Sequence, residues 1–261
     1  MNEKIELLCG LQQTFFFGAV NDFRLMGFGV AGQEAVALVT PHQHERQHFY
    51  LALVSLDSTD IQDVIDWLKS IKVTAAQALV PVFVGIHFDP LLLPQAQERV
   101  RLLQHFMDVV DTVIVIPQLE NDTPAQALAR VPQFLNALSG INSMYPVIFS
   151  EINQKHPSNL AFFGYSSKSQ SNGISTLVET IHQQWQSNYL PSAFVSTIVA
   201  GVECNFGRSD EPLAIEKLLS LSKQPCLLDF DASVKVAMIL NSDMPDRHIN
   251  LGVLFFGLDF G

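Results

Sequence analysis

Gly27-Phe28-Gly29-Val30-Ala31-Gly32-Gln33-Glu34-Ala35-Val36 follows the apolar run Phe23-Arg24-Leu25-Met26. The run has the makings of a buried strand, and a helical pattern begins at about Gln33, so three glycines fall on a strand-to-helix turn. Gly27, Gly29 and Gly32 allow that turn to be tight and turn its N–H groups, with the positive end of the helix, towards an anion. The GxGxxG spacing admits two readings. One is a phosphate loop in which Gly27, Gly29, Gly32 and Gln33 hold a nucleotide; the other is a glycine-rich turn with no ligand.

Outward from this stretch, short apolar runs alternate with helical periodicity, the sign of βαβ units around a buried parallel sheet. Strands are predicted at His48–Val54, Val80–Ile86 and Thr112–Ile116. Helices are predicted over Ile61–Ile71, Gln95–Val109 and Pro124–Gly140, with Pro132 expected to kink the last one or reset its start. Beyond it, strands at Leu160–Tyr165, Ala193–Val202, Val234–Leu240 and Ile249–Leu258 alternate with helices at Ile174–Gln186 and Pro212–Leu221. The fold class is α/β, a Rossmann-like domain with a mainly parallel sheet, a central helix and a smaller α+β C-terminal domain. The boundaries fall at 1–122, 123–145 and 146–261.

The 261 residues are 48% hydrophobic, enough for one large or two medium cores. A formal net charge of -11 excludes nucleic acid or an anionic membrane as the main partner, because both require basic patches. Any ligand phosphate would have to be met by backbone amides. Cys9, Cys204 and Cys226 form no CxxC and read as reduced, buried thiols. The start Met1-Asn2-Glu3-Lys4 has no signal-peptide pattern, there is no run of eighteen apolar residues, and the expected location is the cytoplasm. The last predicted strand ends close to the C-terminus, leaving no tail.

Several strings, in order, resemble the bacterial tubulin homologue FtsZ. Gly27 to Val36 aligns without a gap to that family's first phosphate loop, which reads like GVGGAGNNAV. Val110-Asp111-Thr112-Val113-Ile114-Val115-Ile116-Pro117 is similar to VDTLIVIPN, Val82 to Phe88 to VAVVTKPF, and Ile249 to Asp259 to VRVTVIATGFD. The resemblance spans about residue 22 to 261. It implies a nucleotide-binding domain, a central helix and a smaller domain that completes the active site of the next subunit in a filament, with GTP and Mg²⁺ as ligands.

The departures concentrate in the chemistry. Where the family's GGGTGTG wraps the phosphates, this chain has Ser55-Leu56-Asp57-Ser58-Thr59-Asp60, with no glycine and two carboxylates. A carboxylate a few Å from a phosphate repels it by on the order of several kcal/mol. Ser58 and Thr59 remain as remnant phosphate contacts, although Thr59 with Gln62 also makes a capping box for the next helix. Only eight residues, Thr40 to Gln47, separate the first helix from the second strand, so the family's intervening strands are expected to be missing. The catalytic acids of the family's NLDFADV align with Ile148 and Glu151, leaving Glu151 as the one candidate base. Gln118 replaces the base-recognising asparagine, and Gln133 or Phe134 stands where the central helix should carry an acid.

His42, His44 and His48 make a separate metal-ligand candidate in His42-Gln43-His44-Glu45-Arg46-Gln47-His48. Pro41 before it and a strand directly after leave little room for a helix, which favours a polar loop. No GxSxG elbow or Cys/His arrangement is present. Asp108 with Asp111, and Asp229 with Asp231, read as loop and capping carboxylates. The resulting expectation is a shortened FtsZ/tubulin-like pseudo-GTPase with no cofactor, associating with itself or with another protein in a cytoskeletal, cell-division or membrane-remodelling process. The alternative is a genuine GTP-binding, filament-forming GTPase with a site shared between subunits.

Overall fold

Residues 23–39, 49–56, 61–78, 80–87, 96–117, 119, 122–139, 158–169, 173–187, 195–205, 233–245 and 248–258 are described by the structure, a computed structural model. The strands are β1 (Phe23–Phe28), β2 (Phe49–Ser55), β3 (Val82–His87), β4 (Thr112–Ile116), β5 (Leu160–Ser169), β6 (Thr197–Cys204), β7 (Ser233–Leu240) and β8 (His248–Phe256). The helices are α1 (Gly29–Leu38), α2 (Ile61–Ala78), α3 (Ala96–Met107), α4 (Pro124–Ser139) and α5 (Gly173–Ser187). Among the described residues, all eight strands belong to one sheet of order β1-β2-β3-β4-β5-β8-β6-β7. β1 to β5 run parallel, β8 lies antiparallel between β5 and β6, and β7 is parallel to β6.

β2, β3 and β4 read as near-continuous apolar runs because both of their faces are covered. Leu51, Leu53, Phe83, Ile114, Phe163 and Leu254 face α1 and α4. Ala52, Val54, Val84, Val113, Phe162 and Val253 face α2, α3 and α5. The layers are helix, sheet, helix. In α2 the expected stripe appears as buried Val64, Ile65 and Leu68, with Ile61 and Ile71 packed beside them.

One expectation is corrected. α1 begins at Gly29 rather than at Gln33, since small residues, buried Ala31 and Gly32 among them, let its first turn lie directly on the sheet. α4 runs from Pro124 to Ser139, close to the expected span, with Pro132 inside it and no reset of its start. Its start is fixed by a reciprocal box in which Thr123 N–H donates to Gln126 Oε1 (2.8 Å) and Gln126 N–H to Thr123 Oγ1 (3.3 Å), with Pro124 at the first helical position. Its buried face of Ala127, Leu128, Val131, Phe134, Leu135 and Leu138 holds the helix together where Pro132 lacks a donor. The helix expected at Pro212–Leu221 lies outside the described residues.

α1 and α2 lie on opposite faces of the sheet although β1, β2 and β3 are neighbours in sequence order. The crossover β1-α1-β2 therefore has the opposite hand to β2-α2-β3 and β3-α3-β4. Parallel crossovers are right-handed in about 98% of cases, so one of these hands is an exception. Asp111 is a structural carboxylate, as expected: its Oδ2 accepts from Val82 N–H (2.7 Å), its Oδ1 from Lys72, and its own N–H donates to Val82 O (2.8 Å).

His182 on α5 has a buried Nε2 without a hydrogen-bond partner. Burial lowers its pKa from 6.5, opposed by Glu179. The unfolded chain therefore takes up this proton first, and the contribution of neutral His182 is intact above pH 6.5 and is lost as pH falls through the lower folded value. In urea titrations from pH 8 to 5, the wild type is expected to lose stability relative to His182→Gln as the pH drops. A constant difference would contradict the assignment.

Candidate functional site

The C-terminal ends of β1 to β4 form the edge where open parallel sheets bind ligands. β1 ends at Phe28, which precedes α1 with φ -119° and ψ 141° and supplies no side-chain cap. No acidic residue occupies the first turn of α1. Gly29 has φ 70°, in the left-handed region that other residues adopt only at a cost. Gly27 and Gly32 face each other: a Cβ on Gly27 would lie 2.0 Å from Gly32 O, and one on Gly32 would lie 2.5 Å from Leu53 O. β1, α1 and β2 thus meet at a contact that only two glycines allow. Phe28 turns to the opposite face, its ring edge-on to Trp67 of α2 at 4.7 Å.

Of the residues predicted for nucleotide, the structure brings together Gly27, Gly29 and Gly32, with Gln33 exposed on α1. Ser58, Thr59, Gln118, Glu151, His42, His44 and His48 lie outside the described residues. Among the described residues no group of three His, Cys, Asp or Glu could hold a metal. Ser55 and His87, buried side by side at the ends of β2 and β3, and the fully buried Arg99 of α3 were not singled out from the sequence. Their apolar neighbours conceal them in a hydropathy pattern.

A second concave feature lies between α4 and the far half of the sheet. It encloses about 310 Å³, floored by Gly201, Gly252, Glu203, Asn250 and Tyr165 and walled by Arg130, Gln133, Phe134 and Ala137. Glu203 and Asn250 are direct partners across β6 and β8. Asn241 Nδ2 donates to Glu203 Oε1 and Asn250 Nδ2 to Glu203 Oε2, both at 2.7 Å. Arg130 donates through Nε (3.1 Å) and an Nη (3.2 Å) to the two oxygens of Asp122, and its guanidinium lies 4.8 Å over the Tyr165 ring. Asp122 raises the Arg130 pKa further. Burial pushes the Tyr165 hydroxyl up, and Arg130 opposes that shift.

Beside this cluster, on the opposite face of β6, burial and then Glu203 push the Cys204 thiol up to about 12. Native protein treated with iodoacetamide at pH 7.5 is expected to remain unmodified at Cys204 and to react there once denatured. Rapid native labelling at Cys204 would contradict its burial.

The sequence matches no protein-family model and no curated protein. Among solved structures it is similar to CetZ1 from Haloferax volcanii, a GDP-bound monomer, with TM-score 0.55 and 14% identity over 82% of this chain and 66% of that one. It is also similar to CetZ2 from Haloferax volcanii, a GTPgS-bound protofilament, with TM-score 0.54 and 14% identity over 87% and 70% of the two chains. CetZ from Methanosaeta thermophila strain DSM 6194 gives TM-score 0.52 and 9% identity over 80% and 62%. The chain has the tubulin/FtsZ fold.

The match spans less than two thirds of the CetZ1 chain. Among the described residues, no helix is long and apolar enough to cross a membrane.

Proposed function

We propose that this chain is a shortened tubulin/FtsZ-fold protein that does not hydrolyse GTP and works in the cytoplasm by associating with copies of itself or with a partner protein, in a cytoskeletal, cell-division or membrane-remodelling process. The observation that carries the reading is the passage from β2 to α2. Between Ser55 and Ile61 it has five residues, Leu56 to Asp60, with two aspartates and no glycine, where a second phosphate-wrapping loop would need bare backbone amides. The hand of the β1-α1-β2 crossover supports the same reading. It is what remains if strands that once lay beyond β1 were lost and α1 was rejoined to the wrong side of its own strand.

Each glycine of the first loop is accounted for within the chain, Gly27 and Gly32 by packing and Gly29 by its φ, so their presence does not require a phosphate. The fold is kept where the chemistry is not. Self-association is supported by the CetZ2 protofilament. Negative-stain electron microscopy at high protein concentration, with and without GTP, is expected to show assemblies that do not depend on nucleotide. Filaments that appear only with GTP would contradict this.

The second reading is a GTP-binding, filament-forming GTPase. It is favoured by the uncapped N-terminus of α1 behind a left-handed Gly29, together with the nucleotides bound in the CetZ1 and CetZ2 structures. In that case Asp57 and Asp60 would be the residues to hold Mg²⁺, whose charge would offset theirs against the phosphates.

A further inference from the structure

We propose that two copies of this chain join edge to edge through β1, pairing antiparallel about a two-fold axis at Met26, so that the sheet of one copy continues into the next. The seam rests on the self-association proposed above and gives it a surface and a register.

β1 stands at the end of the sheet order, and among the described residues nothing pairs with its outer edge. Edge strands are ordinarily blunted by proline, bulges or charges, because their unpaired N–H and C=O groups attract another strand. β1 carries none of these beyond Arg24, and its six residues match β2 one for one from Phe23↔Phe49 to Phe28↔Val54. It is also apolar on both faces, as an interior strand is. Leu25 packs towards α1 and α4, and Phe28 towards α2. An interior strand left at an edge is what the loss of strands beyond β1 would produce.

The side chains of β1 fit a second copy of the same strand. Opposed residues in an antiparallel pair point to the same face, so a pairing centred on Met26 sets Arg24 against Phe28 of the second copy, and Leu25 against its Gly27. By strand alternation Arg24 lies on the Phe28 face, where Phe28 and Trp67 rings stand 4.7 Å apart and offer a π surface to the exposed guanidinium. On the other face Leu25 fills the space that Gly27, lacking a side chain, leaves open. The single charge of the strand therefore meets an aromatic ring and no like charge.

α1 widens the contact. It lies over β1 and β2 with α4 on its inner side. A two-fold axis normal to the sheet brings α1 of the second copy onto the same face, with the two helix axes about 10 Å apart, an ordinary packing distance. Val30 and Leu38 of α1 are 64% and 49% exposed, apolar surface that such a contact covers. Glu34, also exposed on α1, stays at the solvent side of the seam, where like charges are screened.

The test uses the full chain without nucleotide. Sedimentation velocity is expected to show dimers at about 100 µM chain. In a Cys9→Ser, Cys226→Ser background, which leaves the buried Cys204, Met26→Cys is expected to form an interchain disulfide on mild oxidation. Opposed Cα atoms in an antiparallel pair lie about 4.5–5.5 Å apart, within disulfide range. Arg24→Cys is expected to form none, since the two copies of that position fall about 13 Å apart. Arg24→Glu is expected to weaken the dimer about tenfold, and it keeps the test open if Met26→Cys does not fold. A chain that stays monomeric, as it would if its own residues 1–22 covered the edge, would overturn the proposal. So would equal cross-linking at the two cysteine positions, a dimer that Met26→Cys does not cross-link, or a dimer that Arg24→Glu leaves unchanged. GTP-dependent filaments cross-linked through Met26→Cys would contradict the proposed function and leave the seam standing; nucleotide-independent assemblies without the cross-link would do the reverse.

Discussion

Gly27→Ala is expected to prevent this chain from folding. The added methyl would sit 2.0 Å from Gly32 O, 2.3 Å from Gly32 C and 2.7 Å from Gln33 N, all of them backbone atoms with no rotamer to relieve the overlap. α1 would have to lift away from β1 and β2, opening the core around Ala31, Ala35, Leu51 and Leu53. The cost should exceed about 4 kcal/mol, a large share of the roughly 5–15 kcal/mol that stabilises a typical domain. Gly29→Ala should be far milder, about 1–2 kcal/mol for a φ of 70° with no steric overlap of this kind. Soluble yield and urea midpoints of the two variants would show the contrast. Equal, small effects would mean that Gly27 and Gly32 do not touch.

Phe134→Ala is expected to cost about 3–5 kcal/mol, the usual penalty for emptying a buried aromatic site. The ring lies over the glycine pair Gly201 and Gly252, which face each other across β6 and β8, and it packs against Phe163 at 5.4 Å. A Cβ on Gly252 would fall 2.5 Å from Phe134 Cδ2 and Cε2, so Gly252→Ala should also destabilise strongly. In a Phe134→Leu background much of that second penalty should vanish, because the ring it strikes is gone. Chemical denaturation of the double-mutant cycle is the check, and simple additivity would contradict the packing.

The strands were legible because burial on both faces writes itself into composition. Thr112 to Ile116 was bounded correctly, and β2, β3 and β7 to within two residues, since each is a short apolar run closed by polar residues or turns. Pro132 does not reset the start of α4, because a missing donor is a local signal whereas the long buried face of the helix is a tertiary one. The glycine turn was visible as a motif, but its reason was not: four residues separate Gly27 from Gly32 in sequence, and only the crossing of β1 and α1 brings them into contact.

The cluster around Glu203 left no trace in the sequence. Its members come from α4, from β5, β6 and β8, and from the turn after β7, so no spacing rule joins Arg130 to Asn250. The inverted crossover at α1 was equally hidden, because periodicity locates a helix without saying which face of the sheet it covers.

The central claim is that the tubulin/FtsZ fold survives here without a working nucleotide site. Isothermal titration of GTP with Mg²⁺ into the full chain tests it most directly. The expected result is no saturable heat, or a dissociation constant weaker than about 100 µM, corresponding to less than roughly 5.5 kcal/mol of binding free energy. Saturable binding in the micromolar range or tighter would contradict it.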